Sequence, residues 1–306
     1  MKIFVAGATG VLGRRVVPLL VAAGHDVRAP ARSAEKSALL RTLGARAVDL
    51  DLFDAGPVHR AVAGSDVVCN LATHIPATTR MAMPGAWAQN DRIRTEASRN
   101  LVDGARAAGA GRFVQESITF LYCDAADRWI DETSPIQPAA NLASATVAEA
   151  HAARFSSGGA IGVVLRFAAF YGPDSGTTLD MIKLAKRRIA LGAAPDAYTS
   201  SITTDDAARA VVASLSAPAG LYNVGDDEPL PRREFFSSLA GALGVRPPRI
   251  APAGLARLGG SKASVLTRSQ RVSNRTFVDA TGWAPVHRSV REGWPFVVTT
   301  IATSNA

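Results

Sequence analysis

The chain has 306 residues, of which 47% are apolar, enough for one large hydrophobic core and a smaller appended unit. Its two cysteines, Cys69 and Cys123, are too few for a disulfide framework and predict a reducing compartment. The net charge of +8 comes from arginines scattered along the chain, which argues against nucleic acid as the partner. We expect a solvated, arginine-rich surface; the alternative is a general positive potential that attracts anionic small molecules.

Membrane and export segments are not expected. The longest apolar run, from Ile161 to Phe170, is interrupted by Arg166 and is too short to cross a bilayer. The first residues lead directly into a strand and leave no room for a cleaved leader. The sequence therefore predicts a cytoplasmic protein, and it leaves open whether the chain is a monomer or a homodimer.

Short apolar segments alternate with helical ones through the first half of the chain, which is the βαβ rhythm. Such apolar strands need cover on both faces, and right-handed crossovers provide it. The pattern predicts an α/β Rossmann fold with a doubly wound parallel sheet. Strands are predicted at 3–6, 26–29, 47–49, 66–71, 112–116 and 161–166, and helices at 11–23, 35–43, 57–63 and 90–108.

The rhythm weakens after the turn residues of Phe170-Tyr171-Gly172-Pro173. We expect residues 1–170 to form the Rossmann domain and residues 171–306 a small, mixed substrate-binding subdomain. Segments at about 202–225 are expected to return to the Rossmann core. Beyond the turn, helices are predicted at 178–190, 205–214 and 232–243, and a strand at 221–224.

A glycine-rich turn follows the first strand and opens a helix. One glycine permits the tight turn, one lets the backbone approach a pyrophosphate, and one allows the helix to pack closely on the strand. The helix N-terminus adds free N–H groups and a positive dipole end. The alternative is a plain tight turn, but its place in the first βαβ unit favours a dinucleotide site. The segment reads Gly7-Ala8-Thr9-Gly10-Val11-Leu12-Gly13.

The residues after the second strand indicate which dinucleotide is bound. Ala31 and Arg32 stand where an acidic residue would bind the ribose 2′-hydroxyl of NAD. A guanidinium there pairs with a 2′-phosphate through two hydrogen bonds, with Arg28 as a helper, so the sequence favours NADP over NAD. The alternative is that Arg32 is a solvated surface residue.

Two further segments lie at the carboxyl ends of strands, where ligands bind in open α/β sheets. Asp51 and Leu52 follow the third strand and are expected to flank the adenine. Leu71, Ala72 and Thr73 follow the fourth strand and are expected to line the path to the nicotinamide.

Together these residues resemble the extended short-chain dehydrogenase/reductase superfamily, in its epimerase/dehydratase branch. The likeness spans nearly the whole chain. It implies NADP-dependent oxidoreductase, epimerase or dehydratase chemistry on a small hydroxyl- or carbonyl-bearing molecule, and it places Phe167 beside the cofactor. Besides the glycine turn, the matching segments are Asp51-Leu52, Leu71-Ala72, Phe113-Val114 through Ser117 to Tyr122, Leu165-Arg166-Phe167 to Tyr171-Gly172-Pro173, Tyr222-Asn223-Val224-Gly225 and Gly282-Trp283-x-Pro285.

The acid–base pair of that family is absent. In the family a Ser or Thr after the fifth strand and a Tyr-x-x-x-Lys motif on the next helix carry the proton chemistry. Aligning Tyr122 and Glu149 with their family counterparts puts Asn141 and Ala145 at the tyrosine and lysine positions. An amide does not exchange a proton near neutral pH, and alanine offers no cation. An enzyme with this sequence would need a non-standard proton donor.

Polar side chains after the fifth strand are the catalytic candidates. Ser117 and Thr119 could hydrogen-bond a substrate carbonyl, although Ser117 could equally satisfy local backbone. Tyr122 is the phenol of this loop and could supply the acid, although the family tyrosine at this place is structural. Tyr171 and His74 are weaker candidates. Tyr171 is better interpreted as lining a pocket, and His74 as a residue of a surface loop. No spacing of histidine, cysteine and carboxylates predicts a metal site.

Two other functions stay open. An intact glycine turn beside a missing catalytic pair fits a sensor or regulator that binds NADP(H) without catalysis. A non-redox lyase or cyclase with a structural cofactor would use the same cleft. The enzyme interpretation is favoured because the loops around Ser117 and Tyr171 are complete.

Overall fold

A computed structural model describes residues 1–81, 83–156, 158–254 and 267–304. The strands of its central sheet are β1 (Lys2–Ala6), β2 (Asp26–Pro30), β3 (Arg46–Val48), β4 (Val67–Asn70), β5 (Arg112–Ile118), β7 (Ile161–Phe167) and β12 (Gly220–Val224). Their spatial order is β12–β7–β5–β4–β1–β2–β3, and every pairing in this sheet is parallel. The predicted doubly wound Rossmann fold is confirmed.

Alternation along β1 explains why the sheet is covered on both faces. Ile3 and Val5 belong to one buried cluster, whereas Phe4 and Ala6 belong to another on the opposite face. The first face is covered by α1 (Gly13–Ala22), α2 (Ala34–Thr42) and α8 (Thr204–Ala213); the second by α3 (Ala55–Val62), α5 (Ser98–Ala107) and α6 (Ser144–Phe155). Helix α4 (Ala88–Arg92) precedes α5. A π-helical turn, Ile93–Ala97, joins α4 to α5.

Short two-stranded pairings build the rest of the described chain. They join β8 (Ala169–Tyr171) with β11 (Ser201–Thr203), β9 (Ile189–Ala193) with β14 (Arg249–Ala251), β10 (Tyr198–Thr199) with β13 (Leu230–Pro231), and β6 (Trp129–Ile130) with β15 (Arg271–Val272). The helices are α7 (Gly176–Lys186), α9 (Arg232–Leu243), α10 (Arg275–Thr281) and α11 (Val290–Ser304). A third buried cluster, which includes Tyr171, Phe235 and Trp294, holds α9 and α11 against the end of β8.

Two features of this half differ from the sequence prediction. The helix predicted at 178–190 ends at Lys186, because Arg188 has a left-handed φ of 63° and the chain then pairs as β9 with β14. Helix α11 was not predicted. In the parts of the chain that the structure describes, no helix is long and apolar enough to cross a membrane.

Candidate cofactor and substrate site

The glycine turn lies against the end of β4. A Cβ at Gly7 would lie 2.5 Å from the carbonyl of Leu71, and one at Gly13 would lie 2.2 Å from the carbonyl oxygen of Gly7. Both positions therefore require glycine for packing within the protein. A Cβ at Gly10 would meet only the Gly7 oxygen, at 3.2 Å, so its outer side is open to a ligand.

Free backbone donors stand beside that opening. Across the described residues, no oxygen accepts a hydrogen bond from the backbone N–H of Val11, Leu12 or Gly13, where α1 begins. Buried N–H groups are normally paired, and a helix N-terminus with unpaired N–H groups binds anions. These donors and the open side of Gly10 fit a dinucleotide pyrophosphate.

The residues expected at the adenosine end lie together at one edge of the sheet. Arg32 Nη1 is 3.8 Å from Asp51 Oδ2, and their side chains are 55% and 51% exposed. A pair this long and this exposed contributes little, so Arg32 is free to turn towards a 2′-phosphate. The carbonyl of Leu52 accepts a hydrogen bond of 3.0 Å from Asn100 Nδ2, which fixes this loop to α5.

Arg28 does not reach this edge. Its Nη2 donates to the Ala63 carbonyl at 2.9 Å and to Ser65 Oγ at 3.0 Å. Both acceptors precede β4 and lie near the end of the sheet where its parallel strands begin. The helper role expected of Arg28 is therefore wrong, because its guanidinium is held at the opposite edge.

The ends of β4 and β7 lie where the nicotinamide half is expected. Leu71 and Ala72 are buried beside Gly7, whereas Thr73 is exposed. The Asn90 side chain holds the next residue, since its Oδ1 accepts a hydrogen bond of 2.9 Å from the His74 N–H. Phe167 is buried in the core, 5.2 Å from Phe170 between ring centroids, and it closes the end of β7.

The two candidate hydroxyls, Ser117 near the end of β5 and Thr119 directly after it, are buried. Ser117 Oγ donates to Glu149 Oε1 at 2.6 Å, and Glu149 receives two hydrogen bonds of 2.7 Å from Arg166. Thr119 is 2% exposed, and its carbonyl accepts a hydrogen bond from Gln270. Ser117 thus belongs to a buried polar network between β5, β7 and α6.

Tyr122 is a structural residue in this fold. Its side chain is fully buried, and its hydroxyl donates to Asn223 Oδ1 at 2.8 Å. The Arg166 guanidinium lies 4.8 Å from its ring centroid. Burial raises the pKa of this phenol. We therefore correct the expectation that Tyr122 supplies a proton, because its hydroxyl is enclosed and already bonded.

The two positions that align with the family's acid–base pair, Asn141 and Ala145, lie at an apolar cluster. Asn141 lies in a 3-10 turn, Ala140–Leu142, and Ala145 is buried in the first turn of α6. The indole N–H of Trp87 donates to the Met81 carbonyl at 3.0 Å, which fixes the ring. We call this cluster the apolar wall; it consists of the buried side chains of Leu121, Leu142 and Ala145 and of the partly buried side chains packed against them, Trp87, Ile118 and Phe120.

A buried ion pair between the π-helical turn and β5 was missed by the sequence analysis. Arg94 Nη2 lies 3.2 Å from Glu116 Oε1, and the side chains are 1% and 6% exposed. Burial raises the pKa of Glu116, and the Arg94 charge opposes that shift. The signal was a glutamate within the strand predicted at 112–116, since a charge in a buried strand needs a partner.

Comparison with known proteins identifies the family. The model of the NAD dependent epimerase/dehydratase family matches residues 3–225. The chain belongs to this family. It is 35% identical over 305 residues to a Streptomyces protein named 3-diazoavenalumate denitrifying reductase, covering 96% of this chain and 99% of that protein. It is 29% identical over 273 residues to the 2-alkyl-3-oxoalkanoate reductase of Stenotrophomonas maltophilia, covering 82% and 77%.

Solved structures show the same fold. A human epimerase family protein with NADPH superposes with a TM-score of 0.82 at 20% identity, covering 98% of this chain and 99% of that one. The UDP-glucose 4-epimerase of Thermus thermophilus with NAD gives 0.77 at 22% identity, covering 99% of each. At these identities the neighbours show the fold, and the matching NAD dependent epimerase/dehydratase family model supports a nicotinamide cofactor.

Proposed function

We propose that this chain is an NADPH-dependent reductase that removes nitrogen from a diazo compound by hydride transfer to the carbon that bears the diazo group. The observation that carries the proposal is the apolar wall around Asn141 and Ala145, where the family would have a proton donor and a cation. The full-length similarity to a reductase whose name describes a diazo-bearing carboxylate supports it.

The chemistry explains how a reductase works without a protein acid. Reduction of a carbonyl leaves an alkoxide that must be protonated, and a positioned donor typically contributes about 10² to 10⁴ in rate. Reduction of an aryl diazonium needs no proton. The hydride forms the C–H bond, the C–N bond breaks, and its electron pair leaves with N₂, so arene and N₂ are the only products besides oxidised cofactor.

The residues of this chain bind the cofactor and the substrate and orient them towards each other. The N–H groups of Val11 to Gly13 hold the pyrophosphate, and Arg32 holds the 2′-phosphate that distinguishes NADPH from NADH. When bound, the reduced nicotinamide supplies the hydride. The partly buried side chains of the apolar wall, Trp87, Ile118 and Phe120, pack against the flat ring of the substrate and keep out water, which would otherwise hydrolyse a diazonium.

Cofactor consumption tests this proposal. The purified protein is given NADPH or NADH with an aryl diazo carboxylate, or with a series of ketones of similar size, and protein-free mixtures correct for the chemical background. We expect protein-dependent loss of NADPH with release of N₂ from the diazo compound, and little turnover of ketones. Reduction of the ketones without turnover of the diazo compound would contradict the proposal. Binding of NADPH without turnover of either class would favour a sensor.

A further inference from the structure

Two buried arginines contact each other where the second half of the chain meets the sheet. Arg232 and Arg268 are 9% and 7% exposed. Arg232 Nη2 donates to the Arg268 carbonyl at 2.6 Å, and its Nη1 donates to the Ala193 carbonyl at 2.7 Å. Arg268 Nη1 donates to the Tyr122 carbonyl at 3.1 Å. Within the described residues, every hydrogen bond that these two guanidinium groups donate goes to a backbone carbonyl.

Neither arginine has a counter-ion within the described ranges of the chain. Other buried arginines do: Arg94 pairs with Glu116, and Arg166 pairs with Glu149. The nearest acidic influence on Arg232 comes from exposed Asp124, which forms no ion pair with it. Burial lowers the pKa of Arg232 to about 10. Since buried charges are normally paired, two buried cations without an acidic partner, one of them bonded to the backbone of the other, point to an anion that arrives with a ligand.

Their position joins this pair to the candidate substrate site. Gln270 Nε2, two residues beyond Arg268, donates to the Tyr122 carbonyl at 2.9 Å and to the Thr119 carbonyl at 3.3 Å. The loop held in this way leaves β5 directly after Ile118, and Phe120 of that loop belongs to the apolar wall. Arg268 is therefore bonded to the loop that contributes Phe120 and Leu121 to the apolar wall, and Arg232 is bonded to the backbone of Arg268.

We propose that Arg232 and Arg268 bind the carboxylate of the substrate while the apolar wall receives its reacting ring. The substrate class is then a planar, conjugated molecule with a carboxylate at one end and the diazo carbon at the other. This inference rests on the proposed function for the identity of the ligand. The arginines bind and select the substrate; they take no part in the hydride step.

A binding equilibrium without turnover tests this assignment. The protein loaded with NADP⁺ is titrated calorimetrically with 4-hydroxycinnamate, which has the ring and the carboxylate but no diazo group, and with its primary amide. We expect the acid to bind at least roughly tenfold more tightly than the amide, as a charge-assisted hydrogen bond provides. Arg232→Gln and Arg268→Gln should lose this preference while amide affinity is unchanged.

Arg233→Gln is the matched control, because Arg233 stands beside Arg232 in the first turn of α9 but is exposed and paired with Asp196. It should keep the preference for the acid. Arg268→Lys retains the positive charge and should keep part of the preference for the acid, which distinguishes loss of the charge from misfolding. The NADPH affinity of each variant checks that it is folded.

Equal affinity of the wild-type protein for acid and amide, including no binding of either, would overturn the assignment. So would an unchanged preference in both glutamine variants. These outcomes leave the reductase proposal standing. In contrast, tight binding of the acid without hydride transfer to any diazo substrate would contradict the proposed function and leave the carboxylate site intact.

Discussion

Ser117 donates a hydrogen bond of 2.6 Å to Glu149, so this serine near the end of the fifth strand is bonded to helix α6 inside the protein. Glu149 is also held by Arg166, and the three side chains are buried together. Ser117 therefore stabilises the junction of β5, β7 and α6, which carries the apolar wall.

Ser117→Ala should lower the free energy of unfolding by about 1 to 3 kcal/mol, because it removes a buried hydrogen bond to a charged group. The turnover number should change little. Denaturant unfolding and steady-state kinetics measure the two effects. A loss of about 10² or more in turnover with unchanged stability would show that Ser117 is catalytic after all.

Gly10→Ala should abolish dinucleotide binding and leave the fold intact. The new methyl group would meet only the Gly7 carbonyl, at 3.2 Å, but would occupy the open side of the turn that faces the pyrophosphate. Calorimetric titration with NADPH and thermal unfolding measure this. Gly56→Ala is the control, because a Cβ there meets only ordinary contacts of 3.7 and 3.8 Å. Normal NADPH binding by Gly10→Ala would show that the pyrophosphate does not bind at this turn.

Arg32→Ala should weaken NADPH binding by roughly tenfold to a hundredfold and leave NADH binding unchanged, since a charged hydrogen bond contributes about 1.5 to 3 kcal/mol. Titration with both reduced nucleotides measures the ratio. Arg46→Ala is the control, because Arg46 is 67% exposed and pairs with Asp26 away from the cofactor edge. Equal losses for both nucleotides would contradict recognition of the 2′-phosphate by Arg32.

Asp226 should make the protein less stable as the pH rises. Burial raises the pKa of this carboxyl well above its ordinary value, and its Oδ2 accepts a hydrogen bond of 3.1 Å from Ser201 Oγ. Its contribution to stability is fully present below the pKa of the unfolded chain, about 3.9, and is lost as the pH rises towards the folded pKa.

Asp226→Asn cannot ionise, so it should gain stability relative to the wild type between about pH 5 and about pH 8. Urea unfolding at the two pH values measures the change, and Asp279→Asn, at a carboxylate that is 73% exposed, is the control. If the difference in unfolding free energy between Asp226→Asn and the wild type is the same at both pH values, Asp226 is not buried as a neutral acid.

Local patterns were enough to predict the sheet and the glycine turn. The alternation of Ile3 and Val5 with Phe4 and Ala6, and the three-residue spacing of the glycines, depend on neighbours in sequence. Helix α11 escaped prediction because Gly293 and Pro295 disfavour a helix locally. Gly293 is required by a distant residue, since a Cβ there would overlap the Tyr171 hydroxyl.

The site was predicted less well, because its chemistry depends on which way side chains face. The sequence predicts that Asn141 and Ala145 stand in place of the family's acid–base pair. It did not indicate that Ser117 and Tyr122 turn inwards, since the end of β5 reads the same in either orientation. Arg232 and Arg268 are 36 residues apart, and only tertiary structure brings them into contact.

The most direct measurement uses NADPH with deuterium at the transferable position of the nicotinamide and an aryl diazo carboxylate, followed by mass spectrometry of the product. Hydride transfer at the diazo carbon predicts one deuterium on the ring carbon that bore nitrogen, with release of one N₂ per NADPH consumed. A product that retains its nitrogen, or carries solvent hydrogen at that carbon, would contradict the account.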